Sequence, residues 1–277
     1  MRRLEDALQG SDGTQLFFRC WLPEPEPLRV AVIAHGLAEH SGRYDYLAGS
    51  LVRRGFAVYA LDHRGHGHSP GRRANIRRFG LVVEDLHALM ERAAAAHAGL
   101  PLTLIGHSMG GAIALECALR HPGAQRQLVL SAPALSAGDS VPAIQALILR
   151  LLSTLLPNAG ALRLPAEAIS RDPAVVRAYD QDPLVYRGSI PARTLAELFG
   201  AMRSFPDSVA QLEVPVLVLH GTGDTLVPLA AVEPVLARLG PVDKTVHRYE
   251  GLYHEVFNEP ERDRVIGDVL DWLDARA

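Results

Sequence analysis

The chain has 277 residues, 48% of them hydrophobic and 21% charged, the make-up of one large folded domain or of one domain carrying an insertion, which excludes wholesale disorder. Lysine and arginine number 28 against 31 aspartates and glutamates, a formal charge of −3, and that balance argues against a nucleic-acid partner. Two distant cysteines, Cys20 and Cys117, show no ligand spacing, so a disulfide framework is not expected and a reducing compartment is.

Met1-Arg2-Arg3-Leu4-Glu5-Asp6 turns acidic before any apolar run begins, so no secretory leader is visible. No stretch approaches 18 uninterrupted apolar residues, and the expected location is cytoplasmic. Leu16 to Leu22 reads as an antiparallel hairpin at the edge of a sheet. Short apolar runs follow at Val30–Ala34, Phe56–Leu61, Pro101–Ile105, Gln127–Leu130, Val214–Leu219 and Thr245–Tyr249, each the unbroken pattern of a strand covered on both faces. Helices are predicted between them at Tyr44–Arg54, Leu81–His97, Gly110–Arg120, Leu229–Leu239 and Glu261–Ala275. Strand alternating with helix predicts a mostly parallel sheet flanked by helices, an α/β fold. The alternation breaks over residues 132–213, where Pro142, Pro157, Pro165, Pro173, Pro183, Pro191 and helix-like pieces replace it without a convincing strand. That segment reads as a helical cap inserted into a core of residues 1–131 and 214–277.

Gly106-His107-Ser108-Met109-Gly110 ends one predicted strand and opens a helix, the strand–turn–helix setting of a nucleophilic serine. A serine hydroxyl needs a base, and the base needs an orienting acid. Asp224 follows a strand end through the turn His220-Gly221-Thr222-Gly223, and His254 lies in the loop after the last strand. Ser108, Asp224 and His254 therefore project from one sheet edge. His254 is expected to deprotonate Ser108 and then protonate the leaving alcohol while Asp224 holds its tautomer. Glu250 stands as the alternative acid. The backbone N–H groups of Leu37 and Met109 are the expected oxyanion donors. His63, His66 and His68 lack a second ligand cluster, so no metal is expected there, and no cofactor elsewhere.

These residues resemble the α/β-hydrolase superfamily, and more narrowly its monoacylglycerol lipase and lysophospholipase branch, over nearly the whole chain. The marks are His35-Gly36-Leu37-Ala38-Glu39-His40-Ser41-Gly42-Arg43-Tyr44, Asp62-His63-Arg64-Gly65-His66-Gly67, the serine turn, and Tyr179-Asp180-Gln181-Asp182-Pro183-Leu184 in the cap. The resemblance implies an α/β-hydrolase fold that cleaves monoacylglycerols to glycerol and fatty acid through an acyl-enzyme. It also implies that Glu39, Arg43 and Tyr179 surround the glycerol group. Some animal members carry a second histidine three positions after the catalytic one, where this chain has Phe257. Lysophospholipase, broad carboxylesterase and acyltransferase activities use the same triad, and a binding protein without catalysis is the alternative from another class.

Within the cap, Ile144, Leu147, Ile148, Leu151, Leu152 and Leu155 recur at helical spacing, with Gln145, Arg150, Ser153 and Thr154 on much of the other side. Such a helix either roofs an acyl tunnel and touches a micelle or membrane surface, or buries that face on its own domain. The expected partner is thus a small lipid ester, and oligomeric state is not legible.

Overall fold

The computed structural model describes residues 1–137, 143–240 and 243–276, and only the backbone of residues 143–147. Its centre is an eight-stranded sheet. The aliphatic runs become β3 (Arg29–Ala34), β4 (Phe56–Leu61), β5 (Leu102–His107), β6 (Gln127–Ser131), β9 (Val216–Gly221) and β10 (Lys244–Tyr249). These six lie parallel in the order β4-β3-β5-β6-β9-β10. Every residue of β4, β5, β6 and β9 is buried, which is why their sequences do not alternate.

The expected antiparallel hairpin is at the sheet edge, but Leu16 to Leu22 lies on its inner strand and Arg2–Gln9 is its outer one. β2 (Gln15–Leu22) pairs antiparallel with β4 on one side and with β1 (Arg2–Gln9) on the other. β1 escaped prediction because only Leu8 of its eight residues is buried; its exposed charges keep the sheet edge solvated.

Helices cover both faces. α2 (Phe79–Ala96) and α3 (Met109–Arg120) pack Leu86, Leu89 and Ile113 on Val30, Val32 and Leu104. On the other face α1 (Asp45–Arg53) and α8 (Arg262–Asp274) pack Leu51 and Val269 on Ala31, Ile33 and Ile105. Successive strand residues thus feed opposite cores. α7 (Leu229–Ala237) joins the first of these cores through Val232, Val235 and Leu236.

Between β6 and β9 the chain leaves the sheet as α4 (Ala143–Leu155), α5 (Pro173–Gln181) and α6 (Ala192–Ser208). A two-stranded ribbon of β7 (Gly160–Leu162) and β8 (Ile190–Pro191) also lies there, where the sequence pattern offered no strand. Two- and three-residue strands carry too little pattern to be seen. Thr194 on α6 ties this segment to the sheet-bearing part, accepting from Ile76 N–H at 2.8 Å and donating to Ala74 C=O at 2.6 Å. Tyr186 N–H donates to Ala38 C=O at 2.8 Å, and Asp182 meets His40 at 2.8 Å. On α4, Ile148, Leu151 and Leu155 are more than half exposed while Ser153 is buried, so this stretch turns its apolar side outward. The Ile144, Gln145 and Leu147 side chains lie outside the described residues.

Candidate active site

Ser108 sits between β5 and α3 with φ 53° and ψ −120°, a strained left-handed conformation for a residue bearing a side chain. The turn is so tight that a Cβ on Gly106 would lie 2.4 Å from Gly110 O, and one on Gly110 would lie 2.1 Å from Ala34 O. Glycine at both positions therefore lets β5, α3 and the end of β3 converge under the serine. A Cβ on Gly221, at the end of β9, would lie 2.1 Å from Leu252 O. Its absence brings the Asp224 turn against the His254 loop.

The three side chains form one hydrogen-bonded line. Ser108 Oγ lies 2.8 Å from His254 Nε2, and His254 Nδ1 lies 2.7 Å from Asp224 Oδ2. Asp224 Oδ1 accepts from the N–H groups of Leu226 and Val227, both at 2.9 Å, which leaves Oδ2 for the imidazole. With Nδ1–H donating to the carboxylate, Nε2 is free to take the serine proton. Glu250 is exposed at its turn, and the carboxylate bonded to His254 Nδ1 is that of Asp224.

Burial resists charge on these groups, yet their mutual attraction prevails. It opposes the Asp224 anion, but His254, His220 and the backbone donors hold that carboxyl well below the usual carboxylate range. It opposes the His254 cation too, but Asp224 and then Glu255 and Glu39 raise the imidazole above its ordinary value. His107, whose ring centre is 4.8 Å from that of His254, is pushed down to about 3 by burial and by His254. It stays neutral and bonds Ser131 Oγ at 3.1 Å.

The loop after β3 lies over the serine. Leu37 and Met109 both line the cavity of about 210 Å³ that opens on Ser108 and His254. Two buried groups set this loop. Glu39 Oε1 accepts the Gly36 N–H at 2.6 Å. His35 Nε2 accepts the His63 N–H at 2.9 Å, so Nδ1 carries the proton and donates to Gly36 C=O at 2.7 Å. Burial holds His63 down to about 3 and His66 down to about 4, so both rings stay neutral, and His66 Nδ1 donates to Arg64 C=O at 2.9 Å. Among the described residues no group of three or more His, Cys, Asp or Glu side chains is placed to hold a metal ion.

Glu39 and Tyr179 line the Ser108 cavity, whereas Arg43 stands behind it. Arg43 Nη1 bonds Glu39 at 2.9 Å, and its two Nη atoms grip the Glu255 carboxylate at 2.5 and 2.7 Å. Its guanidinium carbon also lies 4.8 Å from the centre of the Tyr179 ring. Arg43 thus links the loop carrying Leu37 to the residue after His254. Sequence reasoning missed Glu255; a carboxylate beside His254 looks like any solvated acid until the fold buries it. Most of the rest of the cavity wall is apolar, including Leu162, Leu164, Leu195, Leu198, Phe199 and Met202. Phe257 is buried near Arg43 and does not line it.

A mostly parallel sheet with a strained serine after one strand, met by a histidine and an aspartate from two others, defines an α/β hydrolase. The chain belongs to the Hydrolase_4 family, described as serine aminopeptidase, S33, whose family model it matches over residues 25–261. It is 42% identical to the monoacylglycerol lipase of Mycolicibacterium smegmatis over 98% of this chain and 97% of that one. It is 34% identical to the human monoglyceride lipase over 97% of this chain and 90% of the relative. The solved structure of the Paleococcus ferrophilus monoacylglycerol lipase superposes with a TM-score of 0.85 at 30% identity, covering 95% of this chain and 99% of that one.

Proposed function

We propose that this protein is a carboxylic ester hydrolase that cleaves monoacylglycerols to glycerol and a free fatty acid. The observation that carries the reading is the Ser108–His254–Asp224 line opening into a cavity with an apolar wall and a polar end at Glu39 and Tyr179. Its relatives of 42% and 34% identity, both named for that activity, support it.

In this mechanism His254 Nε2 takes the Ser108 proton as Oγ attacks the ester carbonyl. The oxyanion is met by the N–H groups of Leu37 and Met109 at the head of α3, where the helix dipole also favours negative charge. The imidazolium, stabilised by the Asp224 anion, then protonates the leaving glycerol oxygen. Water attacks the acyl-enzyme with His254 again as base, and the fatty acid departs. The acyl chain lies along the leucines, phenylalanine and methionine of the cavity. Glu39 and Tyr179 face the glycerol, and Arg43 acts on it through them.

The family's description names a peptidase, which would need an uncommitted carboxylate for the substrate's ammonium group. The two carboxylates that line this cavity, Glu39 and Glu255, are both bonded to Arg43, which favours an uncharged ester. Residues 132–213 form the cap in this reading, and the exposed leucines of α4 provide its contact with a micelle or membrane surface. No helix among the described residues is long and apolar enough to cross a membrane.

The test is fatty-acid release from a long-chain monoacylglycerol beside di- and triacylglycerols and lysophosphatidylcholine, with Ser108→Ala as control. Preference for the monoacylglycerol that disappears in the variant is the expected result. Ser108-dependent cleavage of short soluble esters alone would overturn the lipid substrate. Cleavage that survives Ser108→Ala would overturn the mechanism.

A further inference from the structure

The chain as a whole is acidic, yet positive charge is concentrated around α4. Two grooves, of about 1110 and 470 Å³, share Ser153, Thr154 and Arg193. Seven arginines line the two grooves together against two carboxylates, Asp12 and Glu197. Those carboxylates are already paired, Asp12 with Arg64 at 2.6 Å and Glu197 with Arg193 at 2.9 Å. Arg64 also meets the buried Asp85. Arg72, Arg77, Arg78, Arg150 and Arg203 remain, and among the described residues none of them has a carboxylate within ion-pair distance. Arg72, Arg77, Arg78 and Arg150 are exposed. Arg77 and Arg78 immediately precede α2, whose first N–H, that of Phe79, is already taken by Glu197 at 2.7 Å, so the positive charge of the groove is that of the arginines.

We propose that these arginines form a recognition strip for the phosphate groups of an anionic phospholipid surface. The proposal rests on the lipid-ester reading above and adds to it the charge of the surface on which the enzyme works. Three observations select a lipid surface over a soluble phosphate. The unpaired arginines are distributed over two open grooves rather than converging on one closed pocket. α4 carries the exposed Ile148, Leu151 and Leu155 among them, and apolar side chains beside arginines suit a bilayer interface. The strip also lies where the proposed cap meets the core, with Asn75 Nδ2 donating to Asn158 Oδ1 at 2.7 Å across the seam. Anchoring there places the enzyme at the interface from which a monoacylglycerol would enter.

The experiment measures co-sedimentation of the full chain with phosphatidylcholine vesicles and with vesicles containing phosphatidylglycerol, at low and high salt. Wild type is expected to prefer the anionic vesicles and to lose that preference in high salt. An arginine near such a surface contributes about fivefold in affinity, so Arg72→Gln/Arg77→Gln/Arg78→Gln should bind them about a hundredfold more weakly. Arg150→Gln/Arg203→Gln, on the second groove, should lose about twenty-fivefold by the same arithmetic. Both variants should hydrolyse a soluble short-chain ester at the wild-type rate, which shows that they are folded. Equal binding of wild type to both vesicles overturns the proposal, as does retained anionic binding by a folded triple variant. Saturable binding of glycerol 3-phosphate that the triple variant abolishes, without any vesicle preference, reassigns the groove to a soluble phosphate and also overturns it. Hydrolysis of monoacylglycerol in neutral detergent micelles is measured separately. Its absence beside anionic vesicle binding would sink the substrate reading and leave the strip standing.

Discussion

Replacing Glu255 by glutamine tests whether the buried cluster behind His254 controls the site. Glu255 accepts both Arg43 Nη atoms at 2.5 and 2.7 Å and Asn258 Nδ2 at 2.8 Å. Glutamine keeps the shape but supplies one oxygen, and its amide group must face at least one of these donors. A hydrogen bond to a charged group contributes about 1.5–3 kcal/mol, so the loss should be about 2.5 kcal/mol. The unfolding entropy of a 277-residue chain is about 0.6 kcal/mol per degree, which converts that loss into a fall in Tm of about 4 °C. Arg43 would also hold Glu39, and through it Gly36, less firmly. Loss of a whole oxyanion donor costs about a hundredfold or more, so a loosened loop should cost roughly tenfold in kcat/KM. The pH profile carries the decisive sign. Glu255 helps raise the His254 imidazole, and His254 must be neutral to act as a base. Removing the Glu255 charge should therefore move the acid limb of kcat/KM to lower pH. Glu261→Gln, at an exposed pair with Arg171, is the control and should change stability by less than about 1 kcal/mol. An acid limb that stays in place, with a Tm matching the control, would refute the argument.

Other substitutions probe other links. Asp224→Asn should present an amide to His254 Nδ1, reverse the imidazole tautomer and lower kcat by about 10⁴-fold, measured on a soluble ester. Because the Asp224 carboxyl lies below its ordinary value, its stabilisation is complete above the unfolded pKa of about 4 and is lost as pH falls through the folded one. Because Asp224 also raises His254, the Tm gap between wild type and Asp224→Asn should be widest between about pH 4 and about pH 6.5, where both partners are charged, and should narrow on acidification below that window and as pH rises through the His254 pKa; a constant gap would count against the ion pair. Gly110→Ala would place a Cβ 2.1 Å from Ala34 O and should cost about 3 kcal/mol in urea unfolding, whereas Gly267→Ala on α8, with nothing within 4 Å, should stabilise by about 0.5–1 kcal/mol. Leu151→Ser/Leu155→Ser should lower hydrolysis of aggregated monoacylglycerol about tenfold while sparing a soluble ester; equal losses on both would remove α4 from substrate access.

The local order along the chain was legible without coordinates. Short apolar runs between turn signals marked β3 to β6 and β9, which are covered on both faces. β10 stood out as well, although it lies at the sheet's end with only Tyr249 buried, not covered on both faces as its run was read; the helices between them followed from their apolar spacing. The serine turn was legible for the same local reason, since glycines two positions either side of Ser108 serve a turn that admits no side chains there. Two kinds of feature needed the fold. β1, β7 and β8 are held by backbone pairing, with too few buried side chains to leave a pattern. Long-range electrostatics is the other kind. Glu39 and Arg43 read as an i, i+4 pair on one segment, but Glu255, 212 residues further on, turns that pair into a buried cluster joining the loop of Leu37 to that of His254. That Asp224 rather than Glu250 bonds His254 follows from which loop the end of β9 runs against. The polarity of α4 was decided in the same way: its spacing announces an amphipathic helix, but only packing on α6 determines that Ser153 faces in and Leu151 faces out. Periodicity and turn chemistry act over a few residues and are written in the sequence. Burial and charge pairing act through space, and only the folded chain sets those distances.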